Sequence, residues 1–225
     1  MSTLPTLGSV VNRFNTAELL GEKIPAAELA ALTSFLVSRQ GLPGSYFGMF
    51  APVEGELSKP YRLFTGEVVA TTAATRHILG EEGLRILRNL KHKTKAVTTA
   101  IERTQIAMLA RLVHAQQKGC PIGTFCCGRC TVAYWRTLNT GWVPDADARL
   151  RGGMKDLLAS RANGQWRRYP FYYTVMCLTE LPGVITRNEI AYIAPVCEKK
   201  LRTLRAHDSY YQNKTAILER LLKCA

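Results

Sequence analysis

Four cysteines crowd into residues 120–130: Cys120, Cys126, Cys127 and Cys130, in the pattern Cys-x5-Cys-Cys-x2-Cys. Two thiolates separated by two residues on a tight turn can reach one ion, as in zinc knuckles and iron–sulfur loops. All four are therefore candidate ligands for zinc or for an iron–sulfur cluster, with His114, Cys177 or Cys197 available to complete a set. The same residues carry two other readings. Cys127-Gly-Arg-Cys130 at a helix start has the spacing of a redox dithiol, since a helix N-terminus and the neighbouring Arg129 both favour a thiolate. Small thiols among threonines and alanines are also ordinary buried packing.

A second group of residues suits binding. Phe125, Tyr134, Trp135, Trp166, Tyr172 and Tyr173 are large aromatics on both sides of two loops, and Arg129, Arg167 and Arg168 flank them. Together they would line and rim a pocket for an apolar molecule with an anionic head group, or for an acidic peptide. The alternative is that the aromatics form core and that the arginines are solvated or paired with Asp145, Asp147 and Asp156.

These residues must be positioned by a repeated helical unit. Gly123-Thr-Phe125 leads into Tyr134-Trp135 and Leu138; 41 residues on, Gly164-Gln-Trp166 leads into Phe171-Tyr172-Tyr173 and Leu178. A period near 40 is that of stacked helix–loop–helix repeats. Gly44-Ser-Tyr46 is a third, weaker copy. Around these corners the apolar residues recur at helical spacing. Helices are expected from Pro25 to Gly41, from Thr65 to Leu79, from Glu81 to Leu90 after a break at Gly80, and from Lys95 to Lys118. Further helices are expected over Cys130–Leu138, over 148–162 with an interruption at Gly152-Gly153, from Pro170 to Leu181, from a capping box at Thr186 with Pro195 as kink or restart, and around Ile217–Leu222. No strand is expected. The fold class is all-α, a stack of αα-hairpins forming a partial or small α/α toroid. It is read as one domain: an irregular segment over 1–24, the repeat region over 41–206 and a C-terminal helix over 207–225.

The repeated phrase resembles that of the terpenoid cyclase and protein prenyltransferase superfamily, in which glycine–x–aromatic loops precede the inner helices of an α/α toroid. Gly123, Phe125, Gly128-Arg129 and Tyr134 are similar to the prenyltransferase β-subunit loop, which implies a diphosphate-holding role for Arg129 and Tyr134. Where that family carries a zinc-binding aspartate and cysteine, this chain has Thr131-Val132-Ala133. Asp145-Ala-Asp147-Ala148 supplies two of the three carboxylates of the cyclase acid motif, which makes Asp147 the candidate catalytic acid, against a plain helix-capping role for either aspartate.

Length and charge bound the function. The 225 residues suffice to bury a core without metal or disulfide help. Thirty Lys and Arg against 17 Asp and Glu give +13, a surface that attracts polyanions, so a basic helical-repeat nucleic-acid-binding protein is a further reading. No transmembrane run and no secretory leader are read, and the odd count of seven cysteines points to a reduced, cytoplasmic chain. The residues leave open whether any reaction is catalysed. A binding module is the first reading, and an enzyme acting on an isoprenoid diphosphate is the second.

Overall fold

The computed structural model describes residues 5–143 and 145–225. These residues form nine α-helices and four strands of two residues each, so the fold is all-α as expected. Where one repeat domain was expected, the chain divides into two compact units, Met1–Tyr61 with Val68–Lys118 and Arg62–Glu67 with Gly119–Ala225. Strands β1 (Tyr61–Arg62) and β2 (Val68–Val69) fall where the chain passes from one to the other.

The first unit holds α1 (Leu7–Leu20), α2 (Ala26–Ser38), a 3-10 turn (Glu56–Ser58), α3 (Thr72–Asn89) and α4 (Lys95–Gln117). The N-terminal segment is not irregular. Thr6 and Ser9 cap α1 reciprocally, and its buried side carries Leu7, Val10, Val11 and Phe14. The carboxylate of Glu56 accepts the N–H groups of Leu7 and Gly8, satisfying helix-end donors that lack partners of their own. Arg85 of α3 is buried and donates to Glu82 at 2.9 Å, Glu18 at 2.7 Å and Asn15 at 2.7 Å, which ties α3 to α1.

The expected break at Gly80 does not occur: α3 is one helix through Gly80 and Gly83. A Cβ at Gly80 would meet Met49 at 2.9 Å, and one at Gly83 would meet Phe50 at 2.7 Å. Both glycines let the buried 49–51 segment lie against the helix, which outweighs the roughly 1 kcal/mol propensity cost of each. Helix α4 is the element most fully expected. Its N-cap Thr94 accepts from the N–H of Val97, so Thr94→Ala is expected to cost about 1 kcal/mol in urea unfolding, and an unchanged midpoint would show that the cap contributes nothing.

The second unit holds α5 (Gly128–Leu138), α6 (Ala146–Ala159), β3 (Arg161–Ala162), β4 (Gln165–Trp166), α7 (Phe171–Glu180), α8 (Gly183–Thr203) and α9 (Tyr211–Leu222). Strands β3 and β4 form an antiparallel hairpin, which the sequence pattern did not suggest; Asn163 (φ 50°) and Gly164 (φ 73°) supply the two left-handed residues of its tight turn. Helix α5 packs on α6 and α7, α6 on α8, and α9 across α7 and α8. Helix α6 runs uninterrupted through Gly152-Gly153. Helix α8 starts at Gly183, so no capping box forms at Thr186, and Pro195 lies within one continuous helix.

Both corners of the repeated phrase lie in this unit, each at a left-handed glycine. Gly123 (φ 88°) lies where a Cβ would be 2.1 Å from the Arg149 carbonyl of α6, and Gly164 lies where it would be 3.0 Å from Val196 of α8. Each corner thus leads into one helix of a hairpin and leans on the other, with Phe125 and Trp166 buried beside them.

Segment 62–67 serves the second unit as a clip. Glu67 accepts the N–H groups of Tyr172 (3.1 Å) and Tyr173 (2.8 Å) at the start of α7, and Asn213 of α9 donates to the Phe64 carbonyl. Burial pushes the Glu67 carboxyl up; the N–H groups of Tyr173 and Tyr172, the Thr65 hydroxyl and the charge of Arg129 oppose that shift. A carboxyl raised in the folded state holds its proton more tightly there. Its contribution is complete below the unfolded value of about 4.3 and is lost as pH rises through the folded value. Urea midpoints should therefore fall more steeply with rising pH above about 4.3 in the wild type than in Glu67→Gln. Equal slopes would remove Glu67 as the source.

Candidate thiolate site

The cysteine loop is held from two sides before α5 begins. At one end Gly123 presses on the backbone of α6 where Gly152 and Gly153 lie; a Cβ on Gly153 would stand 2.2 Å from Trp135 Nε1. Trp135 Nε1 in turn donates to the Gly123 carbonyl at 2.7 Å, and Phe125 N–H donates to Thr131 Oγ1 at 3.1 Å. At the other end Gly128, the first residue of α5, lies so near the segment before α7 that a Cβ would be 2.0 Å from the Arg168 carbonyl. The residues between these two contacts are Thr124 to Cys127, and Cys127 is the N-cap of α5.

On this frame three thiols converge. Cys127 Sγ and Cys130 Sγ are 3.4 Å apart, and Cys126 Sγ lies within 4.8 Å of Cys130 Sγ. Cys126 and Cys127 are exposed and Cys130 is buried beneath them; all seven cysteines of the chain are thiols. The thiols of Cys126 and Cys130 hold Cys127 far below the ordinary thiol range, aided by the N–H groups of Cys130 and Arg129, while burial works against the shift. Cys130 is pushed the opposite way, first by its two thiol neighbours and then by burial.

Cys126 and Cys127 open into a cleft of about 520 Å³ lined also by Cys120, Thr124, Arg129, Arg167, Arg168 and Tyr169, among others. That volume lies within the range of small-molecule sites. Its cations differ in how they are engaged. Arg168 pairs with Asp156 at 2.9 Å, and Tyr169 OH donates to the same carboxylate. Burial and that carboxylate raise the Tyr169 phenol, so it stays protonated. Arg167 is exposed. Arg129 Nε is buried with no hydrogen-bond acceptor among the described residues.

The fit of this trio to a metal can be tested on geometry. With zinc–sulfur bonds near 2.3 Å, tetrahedral thiolates stand about 3.8 Å apart, which brackets well with the observed separations. The donors Cys126, Cys127 and Cys130 suit one thiophilic ion. A cluster of several irons spreads its thiolates over different metal atoms, so the 3.4 Å approach of Cys127 to Cys130 favours the single-ion alternative. Cys120 stands on the cleft wall. Of the cysteines considered as further ligands, Cys177 faces the Val132 carbonyl at 3.9 Å and Cys197 is pushed up to about 12 by burial.

The aromatic candidates occupy other ground. Phe125, Tyr134, Trp135 and Tyr173 are fully buried and Trp166 nearly so. Tyr134 packs on Phe125 and meets Arg149, Trp135 stacks on Tyr169, and Trp166 donates to Glu189 at 2.9 Å. Tyr172 is half-buried, with Lys214 5.3 Å from its ring centre. Asp147 is exposed and pairs with Arg151 at 2.8 Å, and Asp145 pairs with Arg149; neither caps α6 through its side chain. Asp156, read from the sequence as one possible partner of the arginines, does pair with Arg168; Tyr169 and the Gly128 contact were overlooked. The Gly152-Gly153 pair was the one available signal of a close approach.

Comparison with family models, with curated proteins and with solved structures returns no match.

Proposed function

We propose that the second unit is a binding module whose cysteine loop holds one zinc-class ion through Cys126, Cys127 and Cys130, and whose basic cleft receives an anionic ligand beside it. The observation that carries this reading is the convergence of three thiols, two of them 3.4 Å apart, on a loop fixed at both ends by glycine contacts. When bound, such an ion supplies a cross-link of the loop and a positive charge at the cleft floor. The chain's own residues do the rest. Arg129 offers a buried donor without an acceptor, and Arg167 stands open to solvent. Diphosphates and other anionic head groups, isoprenoid ones included, belong to the class such cations admit.

The nucleic-acid reading has less support. In this unit Arg149, Arg151, Arg161, Arg168, Arg202 and Lys214 each have a carboxylate partner, so much of the positive charge is locally balanced. Among the described residues no helix is long and apolar enough to cross a membrane. The test is calorimetric titration of the zinc-supplemented chain with inorganic pyrophosphate. Saturable binding that Arg129→Met and Arg167→Met each weaken, by about tenfold or more, is expected. Binding unaffected by either substitution would overturn the anion site.

A further inference from the structure

The trio is not symmetric, and the asymmetry has a chemical meaning beyond holding an ion. Cys127 is exposed in the cleft mouth; Cys130 is buried one helical turn below it, 3.4 Å away sulfur to sulfur. An incoming electrophile can reach the first sulfur, and only an intramolecular partner can reach the second. This is the arrangement of an attacking and a resolving thiol. The cleft mouth also has a charge preference. Arg167 and Arg168 are exposed at its rim, and a cationic rim raises the encounter rate of anionic reactants.

We infer that Cys127 and Cys130 form a disulfide by exchange with small anionic disulfides, and that this oxidation withdraws two of the three donors and releases the bound ion. The inference rests on the metal reading above for its second half only. The exchange balances as follows. The Cys127 thiolate attacks one sulfur of the incoming disulfide, whose S–S bond breaks and whose other half leaves as a thiolate. The Cys130 thiolate then attacks Cys127 Sγ, expelling the remaining half as a second thiolate. Both leaving thiolates take protons from solvent, as does Cys126 once the ion departs. Two protein thiolates are oxidised to one disulfide while one external disulfide is reduced to two thiols. The site would thereby couple metal occupancy to the ratio of disulfide to thiol around it.

The test uses the full chain, reduced, loaded with zinc and freed of reductant. It is exposed to glutathione disulfide, which is anionic, or to cystamine, which is cationic, with a zinc indicator and peptide mapping by mass spectrometry as readouts. The expected result with glutathione disulfide is a Cys127–Cys130 disulfide with one zinc released per disulfide formed. Cys130→Ser should stop at a mixed disulfide on Cys127. Arg167→Glu should slow the anionic reagent about tenfold at low salt and leave cystamine within about twofold. A disulfide between other cysteines, a mixed disulfide that persists in the wild type, or equal effects of Arg167→Glu on both reagents would overturn the inference. The two readings fail separately. Zinc retained through complete exposure to the oxidant sinks this inference and leaves the metal site standing. A Cys127–Cys130 disulfide in a chain that never takes up zinc sinks the metal reading and leaves the exchange.

Discussion

Replacing Cys130 by serine is expected to lower zinc affinity by at least about 100-fold, more than the loss of an outer-shell partner, which itself costs up to about that much. Cys130 contacts both other members of the trio, 3.4 Å from Cys127 and within 4.8 Å of Cys126. A hydroxyl there changes volume little, so the fold without metal should survive, and the loss should appear as metal affinity rather than as unfolding. Competition against a chromophoric chelator measures it. Cys120→Ser provides the contrast: on the cleft wall, it should change affinity by less than about tenfold. If Cys120→Ser strips the metal while Cys130→Ser retains it, the donor set is wrong.

Gly128→Ala is expected to destabilise the chain by about 3 kcal/mol, at the upper end of overpacking costs. Local reasoning predicts the opposite sign. Alanine is the better helix former, and Gly128, first residue of α5, has no positive φ to excuse it. The close approach decides: the new Cβ would lie 2.0 Å from the Arg168 carbonyl and 3.2 Å from Tyr169 Cα, both backbone atoms that cannot rotate away. Thermal unfolding should show a midpoint lower by roughly 6–12 °C. Zinc affinity should fall as well, because the substitution pushes the thiol loop off the segment that fixes it. A midpoint equal to or above that of the wild type would show that the contact at Gly128 is loose and that the loop is not held as described.

How much could be read in advance depended on whether a residue's role is local. Helix α4 was legible almost to the residue, because Val97, Ile101, Thr104, Met108 and Leu112 repeat on one buried stripe. The glycine corners were legible as well, since Asn163-Gly164 and Gly123 need left-handed backbone. Glycines inside helices were not. Gly80, Gly83, Gly152 and Gly153 look unfavourable on propensity alone; each is instead a place where another residue lies within about 3 Å of where a Cβ would stand. Only the partner, distant in sequence, distinguishes the two uses. Helix α8 begins at Gly183, before the capping box expected at Thr186, with Pro182 as its N-cap. The aromatics were the largest ambiguity. Nothing in Tyr134-Trp135 separates a ligand wall from a core, and burial of both resolves it in favour of core. The cysteine spacing identified the right loop, but the exclusion of Cys120 from the close trio depended on the turn that Pro121 to Thr124 makes.

The measurement that bears most directly on this account is the zinc content of the chain purified under reducing conditions, by elemental analysis, set beside the same preparation of a Cys126→Ser, Cys127→Ser, Cys130→Ser triple variant. The account predicts close to one zinc per wild-type chain and none in the variant, with far-ultraviolet circular dichroism of both remaining helical. A wild-type chain that neither retains zinc nor takes it up when titrated, or a triple variant that binds it as tightly, would contradict it.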